Sequence, residues 1–97
     1  MLVKSMFEIG RLVATPGASE AVFDERLMAC LQRHCALDWG EVDKEDWVSN
    51  DEAVAGGGRL LSVYRIDPDK PPIGNNRLWI ITEADRSATT FLLPDEY

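Results

Sequence analysis

The sequence predicts an α+β domain: an N-terminal strand, two or three helices, then a three-stranded antiparallel meander with the helices on one face. Three observations lead there. Leu78 to Pro94 holds two runs rich in Ile, Thr, Trp and Phe joined by the polar break Ala84 to Ser87, which is a hairpin pattern. Arg59 to Ile66 alternates, with Leu61 and Val63 on one face and Leu60, Ser62, Tyr64 and Ile66 on the other. Ahead of both, Leu27, Leu31 and Cys35 recur at four-residue intervals with Met28 beside them, a helical stripe.

Each element has a local cause. A first strand is expected at about 8–14, where Gly10 weakens it or marks a bulge. Thr15-Pro16 then starts a short helix at about 16–23, Thr as the cap and Pro where no N–H is needed; Glu20 lies in its opening turns. The helix at about 24–36 opens with Asp24 and Glu25 and closes with Arg33 and His34, matching the dipole at both ends. These two helices are equally compatible with one bent rod. Leu37-Asp38-Trp39-Gly40 interrupts the pattern, and Asp43 caps a third helix at about 44–55 with Trp47, Val48, Val54 and Ala55 facing the core. Gly56-Gly57-Gly58 ends it. The last two strands are placed at about 77–83 and 88–93, with Asp85 able to bond the turn backbone. Asp67 to Asn76, with three prolines, is an exposed connector.

The chain of 97 residues forms one domain, 1–97, with a modest core. No stretch approaches the roughly 20 apolar residues of a membrane span, and Met1-Leu2-Val3-Lys4 opens no long apolar run, so a cytosolic protein without membrane contact is expected. Cys30 and Cys35, five apart on one helix, point about 140° away from each other and do not readily bridge. No further Cys or His pair completes a metal site, so reduced thiols, no metal and no cofactor are expected.

Charge is the most informative surface signal. The net charge is −7 and the isoelectric point about 4.5, which opposes direct binding to nucleic acid and favours a basic partner. Asp38, Glu41, Asp43, Glu45, Asp46, Asp51 and Glu52 face a single base, Lys44, within fifteen residues; elsewhere ten acids meet nine bases. Trp39 and Trp47 bracket this segment, and Trp is enriched at binding hot spots. One reading makes these nine residues a docking face for a Lys/Arg-rich surface. The other makes the acids a solvated helix face and the tryptophans core. A catalytic alternative uses His34, Glu83 and Arg86: Glu as base, His as acid and Arg for a phosphate would suit a small ribonuclease toxin of the barnase or RelE-like type. A hairpin turn and a helix C-terminus account for the same residues structurally.

The segments Gly10 to Ala18, Asp38-Trp39-Gly40, Gly58 to Tyr64 and Trp79 to Ser87 together resemble a group of small bacterial proteins of plasmids, prophages and integrative elements. These are often encoded beside restriction or other defence loci, and the connector around Pro71-Pro72 is longer here. The resemblance implies a mobile-element setting, where small acidic proteins commonly block host defence complexes, and implies no catalytic residue. The leading expectation is therefore a non-enzymatic inhibitor, anti-CRISPR or anti-restriction in type. Its partner would be the basic surface of a protein or nucleoprotein complex. It would act as a monomer or homodimer, and a regulatory subunit dimerising through a sheet edge is the third possibility.

Overall fold

A computed structural model describes residues 5–97, so the reading of Met1–Lys4 lies outside the described part. The elements are β1 (Arg11–Ala14), α1 (Pro16–Ala21), α2 (Asp24–Cys35), α3 (Lys44–Gly56), β2 (Leu60–Arg65), β3 (Arg77–Thr82) and β4 (Ala88–Leu92), followed by a 3-10 turn at Pro94–Glu96. The expected α+β class is what forms. No helix among the described residues is long and apolar enough to cross a membrane.

Local chemistry sets the helix boundaries. The Ala18 N–H donates to Thr15 Oγ1 at 3.2 Å and the Asp46 N–H to Asp43 Oδ1 at 2.8 Å, so both caps act as the sequence suggests. Val22 and Phe23 are extended, with ψ of 128° and 149°, which makes α1 and α2 two separate helices. The stripe on α2 is wider than the leucine spacing alone, because Cys30 and His34 are buried with Leu27, Leu31 and Cys35. Both thiols are free.

The sheet order is β1-β4-β3-β2. β2, β3 and β4 run antiparallel in sequence order, but β1 lies parallel to β4, with Arg11 opposite Ala88 and Ala14 opposite Phe91. The sheet is therefore mixed and four-stranded, a correction to a purely antiparallel meander. A parallel neighbour needs a long crossover, here everything from α1 to β3, and nothing in the local pattern of 8–14 announces such a partner. Gly10 is a close-approach point: its φ is +63°, and a Cβ there would collide with the backbone of Arg86 and Ser87. Ala18 of α1, Val22 just after it and the buried side of α2 pack on Tyr64, Leu78, Ile80 and Phe91, all on one face of the sheet.

α3 runs beside β2 rather than over it. Asn50 is its buried residue, and its side chain takes both polar groups of Leu61: Nδ2 donates to the Leu61 carbonyl at 2.7 Å and Oδ1 accepts from the Leu61 N–H at 3.2 Å. At about 100° per residue, this turns Val48 and Ala55 to the opposite side. Trp47 and Val54 are half-buried as expected, whereas Val48 and Ala55 face solvent, contrary to the expected core set.

The rest of the β2 edge is also covered. The Val63 N–H donates to the Trp39 carbonyl and the Val63 carbonyl accepts from the Glu41 N–H, while Arg26 Nη2 donates to the Arg65 carbonyl at 2.8 Å. Exposed strand edges invite pairing with other chains, and here both outward groups of Leu61 and of Val63 and the carbonyl of Arg65 are satisfied internally. Replacing Asn50 by Ala strands two backbone groups of Leu61. Asn50→Ala is expected to cost about 2 kcal/mol, read as a lower midpoint in urea denaturation with unchanged slope.

Candidate functional site

Of the nine residues singled out on the acidic segment, eight divide into two groups and Trp47 stands between them. Asp38, Trp39, Glu41 and Asp51 are tied into the structure. Leu37, with φ of +67°, closes α2 and lets Asp38 turn back to Arg33, whose Nε donates at 2.8 Å. That guanidinium holds the Asp38 carboxyl below its ordinary range and lies over the Tyr64 ring at 4.7 Å, while the Tyr64 hydroxyl donates to the Asp38 carbonyl. Glu41 pairs with Arg65 at 3.1 Å. Trp39 is fully buried, stacked near Phe7 with its edge to His34, and its indole N–H donates to Asp51 at 2.9 Å. Trp39 is thus core and cannot itself touch a partner, whereas Trp47 stays half-buried.

The second group lies on α3. Asp43 caps the helix, and Glu45, Asp46 and Glu52 are exposed, with no cationic partner for their carboxylates among the described residues. Glu45 and Glu52 flank Val48 on the side opposite Asn50, and Val48 is 48% exposed. Seven acids face Lys44 alone in this segment; counting Arg33 and Arg65 with their partners leaves a local excess of four negative charges. The carboxylates on α3 are close enough together to act on one another and on a visiting cation within a Debye length of about 8 Å.

Under this face runs a buried chain of hydrogen bonds that composition could not reveal. Thr89 Oγ1 donates to the Ile9 carbonyl at 2.7 Å, so it must accept from Thr82 Oγ1, also at 2.7 Å. Thr82 then accepts from His34 Nε2 at 2.9 Å, and His34 Nδ1 accepts from Ser62 Oγ at 2.5 Å. The carbonyl at one end therefore assigns the neutral Nε2–H tautomer to His34. Phe7 and Trp39 close over the ring, each with its centroid 5.4 Å away.

The catalytic alternative looks different in this light. His34 does reach the hairpin end, bonding Thr82 next to Glu83, but it is fully buried with both nitrogens engaged. Arg86 has φ of +61°, and its guanidinium donates to the carbonyls of Gly58 and Ala53, at 2.6 and 2.7 Å, and to those of Glu83 and Ala84. That places Arg86 as a clamp between the hairpin and the end of α3. Glu83 is exposed and alone among the three points to solvent. The constellation is closed to a substrate. Among the described residues no group of three or more His, Cys, Asp or Glu is placed to hold a metal ion.

Burial lowers the His34 pKa from 6.5 to about 4. Between those values the unfolded chain takes up a proton that the folded protein refuses. Stability is therefore full above about pH 6.5 and falls as pH drops toward 4, by about 3 kcal/mol. The depressed carboxyls of Asp38, Asp85 and Glu96 add their losses only at lower pH, near and below their unfolded values. Urea denaturation at a series of pH values is expected to show this early loss, with the His34 ring resonances still neutral at pH 5.

Sequence reasoning missed Arg33, Arg65 and Asn50 as the residues that decide which acids stay available. Only Asn50 left a trace, as a poor helix former at mid-helix. No family model matches the chain, no curated protein matches it, and no solved structure matches it.

Proposed function

We propose that this chain is a non-enzymatic binding protein of a mobile element that inhibits a bacterial defence complex, anti-CRISPR or anti-restriction in type, by laying the acidic side of α3 on a basic surface. The observation that carries the reading is the exposed pair Glu45 and Glu52 beside Val48, with Asp46 exposed in the first turn, carboxylates without a cationic partner among the described residues. Such a surface draws a cationic groove toward it and repels nucleic acid that would compete for the same groove. An apolar residue amid the acids gives the contact something to bury. The resemblance of the hairpin and the Gly10 to Ala18 segment to mobile-element proteins supplies the setting.

The test uses host cells carrying a CRISPR surveillance complex or a restriction enzyme, challenged with a targeted plasmid. Expression of the chain is expected to raise transformation at least about tenfold. The triple variant Glu45→Gln, Asp46→Asn, Glu52→Gln, which spares the Asp43 cap and the Asp51–Trp39 bond, is expected to lose that effect. With the purified complex, binding should weaken at least about tenfold between low and physiological salt. Equal protection by the triple variant would remove α3 from the account, and no protection against either class of complex would end the reading.

A further inference from the structure

The two edges of the sheet are treated differently. β2 is sealed at Leu61, Val63 and Arg65, but β1 is open. In the parallel ladder Arg11 and Thr15 donate to the Ser87 and Phe91 carbonyls, so alternation turns the N–H and C=O groups of Leu12 and Ala14 outward. Nothing among the described residues bonds them. Leu12 is 42% exposed and Ala14 is exposed.

Beside this edge lies a groove of about 280 Å³ lined by Leu12, Val13, Leu27, Met28 and Phe91, with Asp24 in its wall. A strand added to β1 would lie about 4.8 Å beyond it, with alternate side chains over Met28 and Leu27. The adjoining surface carries Glu20, Asp24 and Glu25 around Phe23, which is 84% exposed. A second copy of this chain would bring the same acids against these three. The acids instead suit a strand whose groove-facing positions carry Lys or Arg beside apolar residues.

We infer that β1 is a docking edge for an extended, basic and apolar segment of another protein, which joins the sheet as a fifth strand. Main-chain bonds at Leu12 and Ala14 hold it, the groove takes its apolar side chains, and Asp24 with Glu25 selects for cations. The inference is independent of α3, which lies along the opposite edge.

The probe is a capped peptide, Lys-Thr-Val-Thr-Val-Thr-Lys, which puts Val and Lys on one face, titrated into isotope-labelled protein and followed by amide NMR and hydrogen exchange. Shifts and exchange protection centred on Leu12 and Ala14 are expected. Affinity should fall at least about tenfold for the peptide with Glu in place of both Lys, and for Asp24→Asn with Glu25→Gln. Ala14→Pro removes one outward donor without touching the ladder to β4, and should also weaken binding. Because that variant risks misfolding, the Asp24/Glu25 pair and the peptide's charge reversal decide independently. Shifts confined to α3, or none at about 1 mM peptide, would overturn the proposal. Protection of Leu12 and Ala14 in the protein alone, with a dimer by light scattering, would overturn it in favour of self-pairing.

Discussion

A hydrogen-bond chain runs through the interior from Ser62 by way of His34, Thr82 and Thr89 to the Ile9 carbonyl. It ties α2 to three strands and to the segment entering β1, in the middle of an otherwise apolar interior. A buried polar group without a partner is costly, so each member can keep its place only while its neighbours keep theirs. The direction of donation is fixed from the Ile9 end, which leaves His34 a single uncharged form. Packing of Phe7 and Trp39 over the ring then excludes the water that would otherwise compete for these bonds.

That interior sets what the surface can do. Trp39 closes over His34 and reaches out to Asp51, and the loop carrying it is pinned by Arg33, Asp38 and Tyr64. The same loop satisfies Val63, so the acidic segment begins as a brace for the sheet and becomes a charged surface only along α3. Arg86 holds the other end of α3 to the hairpin through four carbonyls. The backbone of α3 is thus held at both ends, while its outer carboxylates stay exposed.

Features decided by neighbours in sequence were legible. Thr15 and Asp43 cap their helices, Asp85 accepts from the Ser87 N–H in the turn, and the alternation of Leu60 to Arg65 matches its burial. Features decided at a distance were not. The parallel pairing of β1 with β4 depends on residues 77 positions apart. The inward position of Asn50 follows from the needs of Leu61, which helix periodicity in 44–55 does not encode. Trp39 and Trp47 look alike in the chain, yet one is sealed beneath the surface and the other half-exposed. Asp38 and Glu41 read as members of one acidic patch because their guanidinium partners, Arg33 and Arg65, come from outside the segment.

The unequal treatment of the two sheet margins has a consequence for assembly. Fibrous growth by strand addition needs every unit to offer two receptive sides, one for the unit before and one for the unit after. Here Asn50, Trp39, Glu41 and Arg26 occupy one side of every molecule. A second copy joined at the other side would offer a third copy only its own sealed margin, so strand addition between copies of this chain stops after one step.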